Sequence, residues 1–111
     1  MEIKAKLKYL HIAPRKTRAV ADVIKSKPAA EAEVLLKFLH RRASAPILKL
    51  LESAIANAKH NFNIEKNKLT VKSIRVDQGP VMKRFMPRAR GMAAPIKRRQ
   101  SHVSIILTAN D

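Results

Sequence analysis

The chain has 111 residues, with 24 lysines and arginines against 8 aspartates and glutamates, a formal charge of +16 at pH 7. That length is one domain, able to bury roughly 65% of the surface its unfolded chain would expose, and an apolar fraction of 46% excludes a wholly disordered chain. With no cysteine, disulfide frameworks, thiolate nucleophiles and zinc knuckles are excluded together, which fits a reducing compartment.

In chain order, residues 3 to 9 alternate. Ile3, Ala5, Leu7 and Tyr9 share one face and Lys4, Lys6 and Lys8 the other, which predicts a half-buried strand with a basic outer side. The same alternation gives the start no continuous apolar run, so no signal peptide is read there, and nothing approaches the ~18 apolar residues of a membrane span. Pro14 suits the first turn of a helix reaching about Lys25, with Val20, Val23 and Ile24 inward. Arg15, Lys16 and Arg18 crowd its first turn, where the helix dipole disfavours cations and an anion would resolve the conflict.

A second helix is predicted from about Ala29 to Leu39, with Ala32, Leu35, Leu36 and Leu39 inward and His40, Arg41 and Arg42 closing it. Ser44 is a candidate N-cap for a third helix carrying Ile47, Leu48, Leu51, Ala54, Ile55 and Ala58 as one stripe, and Asn61 a candidate left-handed cap at its end. Leu69 to Val76 reads as a strand whose alternation changes phase between Val71 and Ile74, which predicts a bulge or two-sided burial. His102 to Thr108 is a third strand, with Val103, Ile105 and Leu107 on one face. The expected organisation is a single domain over 1–111, with a body of 1–77 and 102–111 and an extended arm of 78–101.

The arm carries the chemistry. From Pro80 to Ser101 it holds Lys83, Arg84, Arg88, Arg90, Lys97, Arg98 and Arg99, and no acidic residue. Val81, Met82, Phe85, Met86, Ala89, Met92, Ala93 and Ala94 are interleaved among the charges. Pro80, Pro87 and Pro95 favour extended backbone, and Gly91 permits a reversal. A charge run is more often solvated than bound, but apolar residues and prolines among the charges favour an arm whose arginines hold phosphates and stack on bases. The balance of charge points to nucleic acid, because cations on a phosphate backbone release condensed counterions. An anionic membrane ranks well below it, since no basic amphipathic helix stands alone.

No catalytic constellation is visible. His11, His40, His60 and His102 are widely spaced without a metal-spaced pair, and each suits a surface or RNA-facing role; His102, just past the arm, is counted with the RNA-facing set. The carboxylates form no dyad, two glycines cannot make a phosphate-cradling loop, and no metal or cofactor is expected. A free-standing DNA-compacting protein and a basic enzyme acting on RNA are the rival classes. The first needs no such arm, and the second lacks its catalytic groups.

Four stretches carry a resemblance over essentially the whole length: APRKTRAVADVIK (13–25), LLESAIANAKHN (50–61), VDQGPVMKRFMPRARGMA (76–93) and IKRRQSHVSIIL (96–107). With these the chain resembles the large-subunit ribosomal protein L-twenty-two family in its bacterial form. The resemblance implies an α+β body, three helices on a three-stranded antiparallel sheet, with a long β-hairpin projecting between the second and third strands. It also implies a cytoplasmic place in the large ribosomal subunit, without a homo-oligomer. The partners implied are several domains of the large ribosomal RNA, neighbouring large-subunit proteins and the nascent peptide. The body would support assembly, and the hairpin tip would line the exit tunnel near protein L-four, where changes alter macrolide sensitivity and stalling.

Carried over by motif, the tip is Met82, Lys83, Arg84, Met86, Pro87, Arg88, Ala89, Arg90, Gly91 and Met92, with Lys97, Arg98 and Arg99 on the returning limb. The RNA-binding set adds Lys4, Lys6, Lys8, Arg15, Lys16, Arg18 and His102. The chain departs from the family pattern at Asp77-Gln78, before Gly-Pro, and at Met92 to Pro95, which replaces a more polar, often basic run.

Overall fold

A computed structural model describes residues 2–79 and 100–109 in full, together with the backbone pairing of 82–87 and 93–98. Strand β1 (Glu2–Leu10) leads into helices α1 (Pro14–Ile24), α2 (Ala29–Phe38) and α3 (Ser44–Phe62). A short 3-10 turn (Lys66–Lys68) then precedes β2 (Leu69–Gln78), β3 (Met82–Pro87), β4 (Ala93–Arg98) and β5 (Ser101–Ala109). This is the expected α+β arrangement. The body's sheet is antiparallel in the order β1-β5-β2, and β3 and β4 form a separate antiparallel pair.

Alternation explains the layering. Val103, Ile105 and Leu107 of the central β5 are fully buried. Beside them register places Ile3, Ala5 and Leu7 of β1, and Val71, Ile74 and Val76 of β2. This one apolar face takes all three helices: α3 lies across β1, α1 across β2, and α2 packs on α3. Ile24, Leu36, Ile47, Leu51, Ala54 and Ala58 fill the space between, so the core is aliphatic and alanine-lined. The expected break in β2 is present, as its register with β5 shifts between Val71 and Ser73. Among the described residues the other sheet face carries no helix.

Three local readings are corrected. Helix α3 begins at Ser44 itself, after Ala43 in the right-handed helical region, because a turn closed by the Ser44 N–H on the Arg41 carbonyl (3.1 Å) already winds the chain. The left-handed cap is Asn63 (φ 54°), two residues past Asn61, which stays in the helix and bonds Asn57. The Asn63 and Ile64 N–H groups satisfy the last carbonyls, of Lys59 and Ala58. On α1, Val23 lies outward, while Thr17 and Ala21 join Val20 and Ile24 inside.

The start of α1 is tied to the start of β5 through a buried polar contact. The Ser101 hydroxyl donates to the Ile12 carbonyl (2.6 Å), and the Thr17 hydroxyl donates to the Ala13 carbonyl (3.1 Å). Each hydroxyl has one hydrogen, so the 3.3 Å approach of the two oxygens is packing rather than a third strong bond. The link between α1 and α2 covers the outer edge of β2: Ser26 donates to the Val71 carbonyl (3.1 Å), and Val71 donates to the Lys27 carbonyl (2.9 Å). That pairing removes an exposed strand edge.

The β3–β4 pair continues the β2–β5 ladder. Gln78 faces Ser101, the Gly79 N–H reaches the Gln100 carbonyl (2.8 Å), and Met82 faces Arg98. A compact chain of this length has a radius of gyration of about 13 Å. The observed 17.1 Å, with principal extents of 65 × 26 × 18 Å, reflects a finger carried away from the body.

Glu33, 14% exposed, joins Lys37 of its own helix (3.4 Å) to Lys66 of the 3-10 turn (3.1 Å). The Lys66 hydrogen bond holds its carboxyl below the ordinary value, against the opposing effect of burial. A depressed carboxyl contributes stability above its unfolded value, 4.5, and loses it as pH falls through the folded value. Glu33→Gln is therefore expected to cost about 0.5–1 kcal/mol in urea melts at pH 7. The gap to the parent protein should close as the buffer is taken below the carboxylate range.

Candidate nucleic-acid interface

Because every helix covers one side of the sheet, the other side presents its polar residues to solvent. Lys4, Lys6 and Lys8 are exposed along β1. Lys4 and Lys6 share a groove with Ser73, Arg75 and Asp77 of β2 and Ser104 and Ile106 of β5, where Asp77 is held by Arg75. Among the described residues, ion pairs engage Lys37, Lys66, Lys72 and Arg75. None engages Lys4, Lys6, Lys8, Arg15 or Lys16, so their charge meets no carboxylate of the described residues within 4 Å.

Arg15 and Lys16 are exposed at the start of α1, whose first turn has no acidic residue and whose first N–H groups have no side-chain cap. The structure separates Arg18 from them. Its Nε and Nη2 both donate to the Val76 carbonyl (3.3 and 3.1 Å), so it closes the outer edge of β2 where the Ser26–Lys27 link ends. A guanidinium forked on one carbonyl is a structural tie, although part of its surface stays exposed.

His102 sits at the base of the finger, opposite Asp77. Its Nδ1 accepts the Tyr9 N–H (3.0 Å), which puts the ring proton of the neutral imidazole on Nε2. The Tyr9 ring stands edge-on to the imidazole at 4.9 Å and 89°. To reach this position Tyr9 adopts a positive φ of 59°, at the point where β1 slips register between Leu7 and Leu10. A Cβ on Gly79 would lie 3.2 Å from His102 Cε1, so the bare glycine lets the outgoing strand pass the ring. Tyr9, Gly79 and His102 thus form a clasp at the root of the finger.

On the finger itself, Met82, Lys83, Arg84, Met86 and Pro87 lie on β3 and Lys97 and Arg98 on β4. Register sets Lys83 directly opposite Lys97. Arg88, Ala89, Arg90, Gly91, Met92 and Arg99 fall outside the described residues.

One set of cations escaped the sequence reading. His40, Arg41 and Arg42, taken there as the end of a helix, lie beside Arg15 and Lys16 around a single cavity. The run was visible in the sequence, but its nearness to residues 25 positions earlier depends on how α1 and α3 cross the sheet. No group of three or more potential metal ligands occurs among the described residues, and no described helix is long and apolar enough to cross a membrane.

Removing Arg18 (Arg18→Ala) is expected to lower unfolding stability by about 1 kcal/mol, as a charged donor pair is lost. Lys6→Ala should change it by less than about 0.5 kcal/mol. Equal losses in parallel urea titrations would contradict the division into tie and interface.

Comparison with known proteins agrees with the geometry. The family model described as ribosomal protein L22p/L17e matches residues 5–108. The large ribosomal subunit protein uL22 of Mesoplasma florum is 52% identical over 108 residues, covering 97% of this chain and 96% of that protein. Its counterpart in Mycoplasma capricolum is also 52% identical, over 97% of both chains. That of Chloroflexus aggregans is 44% identical over 107 residues, 96% of this chain and 95% of its own.

Proposed function

Because the chain belongs to the ribosomal protein L22p/L17e family, the structural proteins of the large ribosomal subunit in the cytoplasm, we propose that it binds large-subunit ribosomal RNA, supports assembly of the subunit, and lines the nascent-peptide tunnel with the tip of its finger. It does so as a structural element, without a catalytic step.

The observation that carries this reading is the segregation of charge. Among the described residues, the three carboxylates that form ion pairs, Glu2, Glu33 and Asp77, pair with Lys37, Lys66, Lys72 and Arg75, whereas the lysine row of β1 and the first turn of α1 stay unpaired and exposed. A surface built so is completed by phosphates, which Lys and Arg neutralise with release of condensed counterions. A-form RNA hides its major-groove base edges from such side chains, so RNA shape and backbone are the features recognised. The finger supports the second part of the proposal. Its register places Lys83 opposite Lys97, and RNA phosphates along both limbs would neutralise the two positions together. The tip residues Met82 to Met92 then contact the peptide path, and neighbouring subunit proteins adjoin the body.

Binding of the purified chain to large-subunit RNA, followed while salt is raised from 50 to 200 mM, tests the RNA contact. Engagement of six to ten phosphates predicts a fall of roughly 10³ to 10⁵ in affinity, on duplex-like counterion arithmetic. A flat titration would overturn the proposal.

A further inference from the structure

We infer that the cavity between the start of α1 and the α2–α3 connection is a binding site for consecutive phosphates of one RNA strand, held by Arg15, Lys16, Arg41 and Arg42. The inference rests on the RNA-binding reading above and adds a site to it. The cavity measures about 540 Å³, and Arg15, Lys16, His40, Arg41 and Arg42 surround a floor of Ala19 and Ala43. Its size is that of a ligand pocket rather than a packing defect.

The wall chemistry selects the ligand. Four permanently charged side chains converge on one concavity with no carboxylate among the lining residues. None of the four takes part in an ion pair or side-chain hydrogen bond within the described chain. Arg and Lys offer donors and no acceptor, so the occupant must be an acceptor-rich anion. One phosphodiester carries a single negative charge and would leave most of the cavity's charge unmatched, whereas successive phosphates of a strand supply one charge each. The uncapped first turn of α1 opens beside the same wall and adds its partial positive charge. Two alanines on the floor leave room for the sugar-phosphate chain to approach.

The walls are also held in place. The α1 start is fixed through Ile12, Ala13, Thr17 and Ser101. The connection is folded by two backbone bonds, Arg41 N–H to the Leu39 carbonyl (3.0 Å) and Ser44 N–H to the Arg41 carbonyl (3.1 Å). A preformed cluster of this kind needs little ordering on binding.

The test compares the full chain with its Arg41→Ala/Arg42→Ala variant, the charge-keeping Arg41→Lys/Arg42→Lys variant, and Lys37→Ala as a control in an internal ion pair. Thermal melts check that each folds; the arginine side chains are exposed, so their removal leaves the core intact. Affinity for large-subunit RNA is measured across salt, and backbone amide shifts are followed while inorganic pyrophosphate is added. The site predicts a roughly tenfold or greater loss of RNA affinity for the alanine pair and a salt slope lower by about 2. The lysine pair should keep the slope, and Lys37→Ala should bind as the parent does. Pyrophosphate should shift amides of residues 15–16 and 40–43. If the alanine pair binds RNA with parent affinity and slope, the site is wrong while the general RNA reading stands. If pyrophosphate moves those amides yet RNA binding is untouched, the cavity takes small phosphates and the inference is overturned. A parent chain without salt-dependent RNA binding would instead sink the broader reading.

Discussion

Like charges that must share a small body are the constraint on which this structure turns. A surplus of sixteen positive charges on 111 residues repels itself, and the fold does not disperse it. Glu33 bridges Lys37 and Lys66, Glu2 meets Lys72, and Asp77 meets Arg75. These pairs lie on α2 and the 3-10 turn, at the start of the lysine row, and on β2 across the groove from it. Of the cations left over, three groups stand together, on the open sheet face, around the first turn of α1 and along the finger, while Lys25, Lys27, Lys49, Lys59 and Lys68 are scattered over the α1–α2 link, α3 and the 3-10 turn. Each group is tolerable in free solution because water and salt screen it. Each becomes an asset when a polyanion is laid against it.

The sheet makes that segregation possible. A three-stranded sheet with all helices on one side leaves its other side to polar residues, and period-two alternation delivers Lys4, Lys6 and Lys8 there together. The central strand does more. Through Ser101 it fixes the start of α1, through His102 it holds Tyr9 and flanks Gly79, and through its ladder with β2 it launches the finger. The root of the finger is therefore held by contacts of the body at Gly79, Ser101 and His102.

Much of this was legible in the sequence, because alternation and helical spacing are local. The three helices, the three body strands, the bulge near Val71 and the inward set on β5 all follow from period alone. Cap positions were less legible. A serine before a proline-containing turn resembles an N-cap, yet the chain was already wound at Ala43, and Asn63 rather than Asn61 took the left-handed turn. Val23 was read inward on hydrophobicity, whereas α1 turns Thr17 and Ala21 to the core because Thr17 meets Ser101, 84 residues away. Long-range pairings of that kind leave no local trace. The split of Arg18 from Arg15 and Lys16, and the company those two keep with Arg41 and Arg42, depend in the same way on helix crossing. The family motifs marked the finger's importance, and the body's second cluster emerged only from the packing.

The central claim is that the body's unpaired lysines find their counter-charge in RNA while the acid-paired ones do not need it. Lysine reactivity toward an acetylating reagent, read residue by residue in the free chain and in the assembled large subunit, addresses it most directly. Lys4, Lys6, Lys8 and Lys16 should be strongly protected on assembly, with Lys37, Lys66 and Lys72 changing much less. Equal reactivity of the first four in both states would contradict the account.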